Sequence, residues 1–411
     1  MKLLVQVLNR YHISKHKQNT FQFWGRFARF LFGQLPFYPV YLTIRLLRPY
    51  KLVRFIPMSE DRIGGFASSL GYYTCEKTHG IAHQNTYDIF YYYQPVCNQQ
   101  LMKMWKRVLR VSFFANFFAR ILWTKPYGKI HRIKLNPVDT YGLRYSSAPC
   151  IGLTPAEETQ AQTEMQLIVP DPERPFICIL SRDKGYLQSM DPSRDWTYHD
   201  YRNCTISHYA KAADALAEKG YTIFRLGSHT TEPLSSKNPN VLDYANENCR
   251  TDLLDIYLTI KCRFLISSGT GMDTLANIFQ KPVLYVNLLP YICFPFFSNV
   301  ICMPKLLFSN KLNRLLTFNE IYNSPICKFG TSQEYRNEDI EIMENTDDEI
   351  LDASLEMEQR LGSTWVDTEI DTELQNNFWG MFPKGNVYHG GDIKSKISSS
   401  FLKKHRLLLE T

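Results

Sequence analysis

The stretch Ser267-Ser268-Gly269-Thr270-Gly271 stands between a hydrophobic run and a helical run, where a chain can do chemistry with its backbone. Small hydroxyl side chains and glycines leave N–H groups exposed at a helix start, and the partial positive charge there suits a phosphate. A plain tight turn between strand and helix is the alternative. Two arginines bear on the choice: Arg182 follows the apolar run 176–181, and Arg225 ends the run 221–227. Guanidinium forks match phosphate oxygens two at a time. Lys184, Gly227, Ser228, Asp243 and Tyr244 also follow strand-like runs, so they join the candidate set.

Other chemistries lack their signatures. No Gly-Lys-Ser/Thr closes the glycine loop, and no third glycine completes G-x-G-x-x-G. There is no H-E-x-x-H, no G-x-S-x-G and no strict D-x-D. Asp367, Glu369 and Asp371 alternate within an acidic, surface-like stretch, so no metal site is expected. The ten cysteines show no C-x-x-C spacing, which points to a reducing cytosol rather than zinc or disulfides.

Elements that would position these residues can be read from periodicity. From 176 onward strands and helices alternate: strands at 176–181, 221–227, 240–245, 263–268 and 282–287, with helices at 205–220, 251–262 and from Gly271. Such alternation predicts a parallel sheet covered on both faces, with its ligand at the carboxyl ends of the strands. Upstream, 51–57 and 86–93 read as strands around Gly64-Gly65 and a helix, and 129–135 as a further candidate strand. The fold class is therefore α/β, with two Rossmann-like domains and a cleft between them. Thr154 with Glu157, and Thr346 with Glu349, fit capping boxes. The Pro-rich 169–175 serves as a linker. The expected division is a leader 1–50, a first domain 51–168, a second domain 169–345, and C-terminal helices 346–411.

Charge divides the chain unevenly. The net value of +7 combines about +17 in residues 1–135 with about −10 in the rest. In 21–49 and 101–123 the basic residues interleave with large apolar ones, and Leu101, Met104, Trp105, Val108, Val111 and Phe114 recur at helical spacing. That pattern fits a helix lying in an anionic lipid interface, with a core-facing helix as the alternative. Nucleic acid is the least favoured partner, because the acidic second half has no part in it. No secretory signal is read at the start. The uncharged 282–304 stretch is long enough to span a membrane, but its four prolines make it a buried strand followed by an aromatic loop.

The segments "RDKGYL", "YHDYRNCTISHYAKAADALAEKGYTIFRLGS", "LDYANENCRTDLLDIYLTIKCRFLISSGTGMDTLANIFQKPVLYVN" and "FWGMFPKG" resemble a bacterial family of glycosyltransferases associated with cell-surface polysaccharide clusters. The likeness covers roughly 50–405 and is strongest over 176–290. It implies a GT-B-type, metal-independent enzyme with a nucleotide-sugar donor and no cofactor. The donor half is also similar to heptosyltransferase-like and fucosyltransferase-like enzymes, where an Arg after the first strand, here Arg182, would meet the donor phosphates. On this likeness Arg182, Arg225 and the 268–271 amides would hold phosphate, and Asp243 and Tyr244 the ribose or base.

One departure matters. Heptosyltransferase-like enzymes carry an acidic base after Ile-Gly in the first-domain loop, whereas Arg62-Ile63-Gly64-Gly65 places a glycine there. Asp61 and Glu60 would substitute as base, with His79 and His83 as weaker choices, while Arg62, Gly64 and Gly65 form the acceptor loop. The acceptor implied is a glycan or lipid-linked glycan, reached by a cytoplasmic protein resting on the inner membrane. The missing acid favours an alternative, a non-catalytic nucleotide- or glycan-binding partner of an assembly complex.

Overall fold

The structure, a computed structural model, describes residues 38–81, 85–93, 95–123, 126–383 and 390–410. By its internal contacts the chain divides into two compact units. Residues 1–57, 83–92 and 110–134 make one, and 58–82, 93–109 and 135–411 make the other. The leader 1–37 and His83 lie outside the described residues.

In the first unit, β1 (Leu52–Pro57) and β2 (Thr86–Tyr91) pair in parallel, Leu52 opposite Thr86 and Pro57 opposite Tyr91. Arg54 holds Asp88 through both carboxylate oxygens, at 2.6 and 2.8 Å, with both side chains buried. The run 129–135, a candidate strand by its alternation, instead overlaps a 3-10 turn, Pro126–His131, and meets the pair through a bridge from Arg132 to Phe55 and through His131 Nδ1, 2.6 Å from Val53 O. Gly128 explains the turn: a Cβ there would lie 1.8 Å from the Leu122 carbonyl oxygen, so the chain doubles back where no side chain fits.

The segment 101–123 is not one helix. Helix Gln99–Val108 belongs to the second unit and helix Ala115–Trp123 to the first. Between them the backbone leaves helical geometry to pair with β2: Phe90 N donates to Arg110 O, and Ser112 N to Phe90 O, each at 2.8 Å. Leu101, Met104 and Trp105, expected to face lipid, are wholly buried. The core-facing alternative holds for that part of the stripe, while Val108 and Phe114 are exposed.

The second unit is built on a seven-stranded parallel sheet. Its strands are β3 (Phe176–Leu180), β4 (Thr222–Arg225), β5 (Val241–Leu242), β6 (Leu265–Ser267), β7 (Val283–Leu288), β8 (Val300–Pro304) and β12 (Lys396–Ile397), in the order β12-β8-β7-β6-β3-β4-β5. β9 (Leu306–Ser309), β10 (Arg314–Leu315) and β11 (Ile340–Met343) form a small antiparallel sheet. From β5 to β8 the order is that of a doubly wound fold, third-second-first-fourth-fifth-sixth. β3, β6 and β7 are buried throughout, which is why they read as apolar runs rather than alternating ones.

The 282–304 stretch holds a second strand, β8, that its prolines had concealed: Pro304 sits at the end of the strand, where a missing N–H costs least. Between β7 and β8, Tyr291 stacks on Phe294, and Phe294 packs on Phe378, Trp379 and Phe382 of the "FWGMFP" motif. That motif is core. No described helix is long and apolar enough to cross a membrane.

Candidate functional site

The sheet order puts a crevice between β3 and β6, the two strands whose connections leave in opposite directions. Register makes the crevice exact in height. Leu180 lies opposite Ser267, so Ser181-Arg182 and Ser268-Gly269 leave the sheet side by side. Ser268 N donates to Leu180 O at 3.1 Å, and Ser268 Oγ accepts from Arg182 N at 2.8 Å. Ser268 is thus the rivet between the two loops.

The hydroxyl-and-glycine loop spends much of its polarity on itself. Ser267, fully buried, donates its hydroxyl to Asp273 Oδ2 at 2.9 Å and accepts from Gly269 N at 3.2 Å. Thr270 N donates to the same Asp273 oxygen at 2.6 Å. Burial raises the Asp273 pKa to about 6 against the pull of those bonds. Ser267 is thus engaged within its own loop and Ser268 between the two loops, and neither lines the cavity. Gly269 needs to be glycine, with φ +76° and its carbonyl accepting from Arg202 Nη2. The Thr270 hydroxyl has no hydrogen-bond partner. Gly271 and Met272 open helix Gly271–Ile278, and first-turn N–H groups have no acceptor within the helix.

Two glycines bring a second loop to this one. A Cβ on Gly64 would meet Gly271 Cα at 3.0 Å, and one on Gly71 would meet Ile278 at 3.1 Å. Helix Ile63–Thr78 therefore lies against helix Gly271–Ile278 at backbone contact, and Thr274 Oγ1 reaches Gly64 O at 3.3 Å. Arg62, Gly64 and Gly65, expected on the acceptor side, share a wall with Thr270 and Gly271.

Together these loops line a cavity of about 390 Å³, with Arg62, Arg182, His199 and Arg202 on its wall. Cations dominate that wall. Among the described residues neither Arg182 nor Arg202 forms an ion pair with a carboxylate, and each buries an unpartnered Nε. Burial, then Arg202 and Arg62, lowers the Arg182 pKa to about 10. His199 is lowered to about 4, first by burial and then by Arg182, Arg202, Arg62 and Arg194. Asp61 lies only at the edge of ion-pair range of Arg62, at 3.9 Å, and both are well exposed. Such a wall favours an anion, and it offers forks, helix N–H groups and a free hydroxyl to hold one.

The turn Thr197–Arg202 supplies His199 and Arg202, and it is pinned on several sides. Tyr201 N donates to Ser332 Oγ at 3.0 Å, Ser332 Oγ donates to Thr197 O at 2.9 Å, and Cys204 N donates to Arg182 O at 2.8 Å. Nothing in the local sequence assigns His199 and Arg202 a role. The available signal was the density of Arg, His and Tyr in 198–202, just before a helical stretch. Arg250 and Asp255, also on the cavity wall, were missed because they sit at a helix start rather than after a strand.

Other candidates go elsewhere. Arg225 is 1% exposed, and its Nη1 donates to Glu232 O at 2.5 Å and to Asp243 Oδ1 at 3.3 Å, with Asp183 Oδ2 3.8 Å from Nη2. Two carboxylates answer its charge, so it braces the strand ends, while its Nε, like those of Arg182 and Arg202, is buried without a hydrogen-bond partner. Asp243 also accepts from Leu234 N and Asn246 Nδ2. Tyr244 is fully buried against Phe224, with its oxygen accepting from Thr251 N at 3.1 Å. Lys184 is exposed and borders a neighbouring cavity, as does Arg225. Gly227 and Ser228 do line the cationic cavity.

Neither proposed base lines the cavity. Glu60 is buried, accepts from Tyr93 N, and has its pKa raised by that burial. Asp61 projects outward, 68% exposed. His79 caps helix Ile63–Thr78, its Nδ1 2.9 Å from Cys75 O. Among the described residues no cluster of His, Cys, Asp or Glu is placed to hold a metal ion.

No protein-family model and no curated protein matches the chain. Solved structures resemble it weakly. ADP-heptose lipopolysaccharide heptosyltransferase II of E. coli is 12% identical, with 62% of this chain and 91% of that one covered and a TM-score of 0.35. A family 9 glycosyl transferase from Veillonella parvula is 11% identical, covering 62% and 86%, with a TM-score of 0.39. The E. coli heptosyltransferase WaaC with ADP-2-deoxy-2-fluoro heptose is 11% identical, covering 61% and 93%, at 0.30. Likeness of this degree decides nothing here, and the fold and cavity stand on their own geometry.

Proposed function

We propose that the protein is a GT-B-type glycosyltransferase that takes a sugar from a nucleotide-sugar donor. The observation that carries the reading is the cationic wall of Arg62, Arg182, Arg202 and His199 at the switch point of a doubly wound sheet. In glycosyl transfer the anomeric C–O bond breaks and the electron pair leaves with a phosphate oxygen, so donors fixed at that oxygen lower the barrier. The motif resemblance points the same way. A volume of about 390 Å³ lies within the range of small-molecule sites.

The base shifts from the loop acids to the cavity's own wall. Asp183 lines it but is occupied: Oδ1 accepts from Gly185 N, and Oδ2 from Thr231 N. Asp255 keeps Oδ1 unpartnered while Oδ2 accepts from Arg250 at 2.9 Å. Burial raises its pKa to about 6, a value suited to accepting a proton near neutrality. The position of Glu60 and Asp61 outside the cavity favours a second reading, a binding protein without turnover.

The test is release of nucleoside diphosphate from a panel of nucleotide sugars incubated with the purified protein. Turnover by wild type, lost in Asp255→Asn, supports the enzyme. Tight binding with no release under any acceptor supports the second reading.

The acceptor side is proposed as a lipid-linked glycan at an anionic membrane. In the first unit Asp88 is the one acid among the described residues, and Arg54 neutralises it. Phe113, Phe114 and Phe117 are exposed, and Phe113 meets the other two edge-on, with centroids 6.0 and 6.2 Å apart, near Arg110 and Arg120 in sequence. Exposed aromatics beside basic residues suit headgroup phosphates and the acyl boundary. Sedimentation with anionic vesicles at low salt should capture the protein, and Phe114→Asp should weaken capture about tenfold or more. Equal sedimentation of both proteins would remove this surface from the account.

A further inference from the structure

Two side chains on the cationic cavity's wall have a charge that is not fixed: Asp255, raised by burial to about 6, and His199. His199 lies among Arg62 from the loop before helix Ile63–Thr78, Arg182 from the loop after β3, and Arg194 and Arg202 from its own segment. Tyr198 covers its ring at a centroid distance of 4.1 Å. Its Nδ1 is buried and has no hydrogen-bond partner. Burial first, then the guanidiniums of Arg182, Arg202, Arg62 and Arg194, disfavour the charged ring. The three cavity arginines that suppress its proton are the ones that would surround an anion, and an anion there reverses the field the ring feels.

We propose that His199 is itself a ligand of the anion and engages it as the imidazolium, so that binding draws one proton from solvent. This rests on the anion-site reading above and deepens it: to the guanidiniums of Arg62, Arg182 and Arg202 the ligand adds one charge that it recruits itself. The recruited charge favours a phosphate of full negative charge over a neutral sugar of similar size. It also makes affinity depend on pH with a definite sign. A ring that is neutral in the free protein and charged in the complex binds the anion more weakly as pH rises. Between the two values at which the ring titrates, affinity falls about tenfold per pH unit for a single proton.

Sulfate is the probe, because it stays a dianion throughout the working range and contributes no proton of its own. Carbon-13-labelled histidine in the full chain reports each ring by NMR, with His199→Gln assigning the signal. In sulfate-free buffer at constant ionic strength, His199 should titrate well below the ordinary 6.5. In saturating sulfate its midpoint should rise by about 1–3 units, the effect of an opposite charge at close range. Sulfate affinity of wild type should fall as pH rises from 5 to 7, and His199→Gln should flatten that slope. Sulfate that protects the site while the His199 midpoint stays put would overturn this proposal and leave the anion site standing. Failure of sulfate to bind at any pH would overturn both.

Discussion

Arg182 and Arg225 leave neighbouring strands of one sheet, and the chain treats them in opposite ways. Arg225, at the end of β4, is buried between Asp183 and Asp243 and accounts for their charge. Arg182, just beyond β3, is half-buried among other cations and forms no ion pair with a carboxylate among the described residues, Asp273 feeling its charge only at longer range. A buried pair that is complete serves the fold. A buried cation left unanswered raises the energy of the folded chain and is explained by an anion that arrives later. From sequence the two looked alike, each an arginine at a strand end.

The largest effect that would sharpen the contrast is on stability. Arg225→Ala strands two carboxylates and should cost about 3–5 kcal/mol, as breaking buried pairs does. Arg182→Ala removes repulsion from Arg202 and Arg62, so it should leave stability unchanged within about 0.5 kcal/mol or raise it. Urea denaturation of both variants measures this, and equal losses would erase the distinction. A smaller effect is expected where the loops meet. Gly64→Ala places a Cβ 3.0 Å from Gly271 Cα, backbone that cannot yield cheaply. It should cost about 1–3 kcal/mol and weaken ligand binding together, because the same contact sets the cavity wall. Loss of stability with binding intact would show that the wall does not depend on that contact.

Sequence legibility followed chemical context. The parallel sheet was readable because β3, β6 and β7 are buried on both faces and therefore uniformly apolar. The capping boxes at Thr154 and Thr346 were readable because they are local, and both are present. Gly227, Ser228, Thr270, Gly271 and Arg182 line one cavity at the strand ends, the edge to which the strand-end rule assigns them. What sequence could not show was pairing across distance. Asp243 reads as a ligand until Arg225 is seen to claim it, and Ser267 until Asp273 does. Leu101, Met104 and Trp105 have the spacing of a lipid-facing stripe, yet periodicity does not say which apolar surface a stripe meets. His199 and Arg202 reach the cavity only because a 3-10 turn is pinned to Ser332, more than a hundred residues away. Gly65 stands where a side chain would find room, since a Cβ there meets Ser59 no closer than 3.6 Å. The missing acid is thus a matter of residue choice and not of space.

The central claim is that the cationic cavity binds an anionic ligand through Arg182 and Arg202. Isothermal calorimetry of nucleoside diphosphates and nucleotide sugars with wild type, Arg182→Ala and Arg202→Ala tests it most directly. The account predicts binding by wild type and a loss of about ten- to hundredfold in each variant, the range of one charge-assisted hydrogen bond. Affinities that stay equal across the three proteins would contradict it.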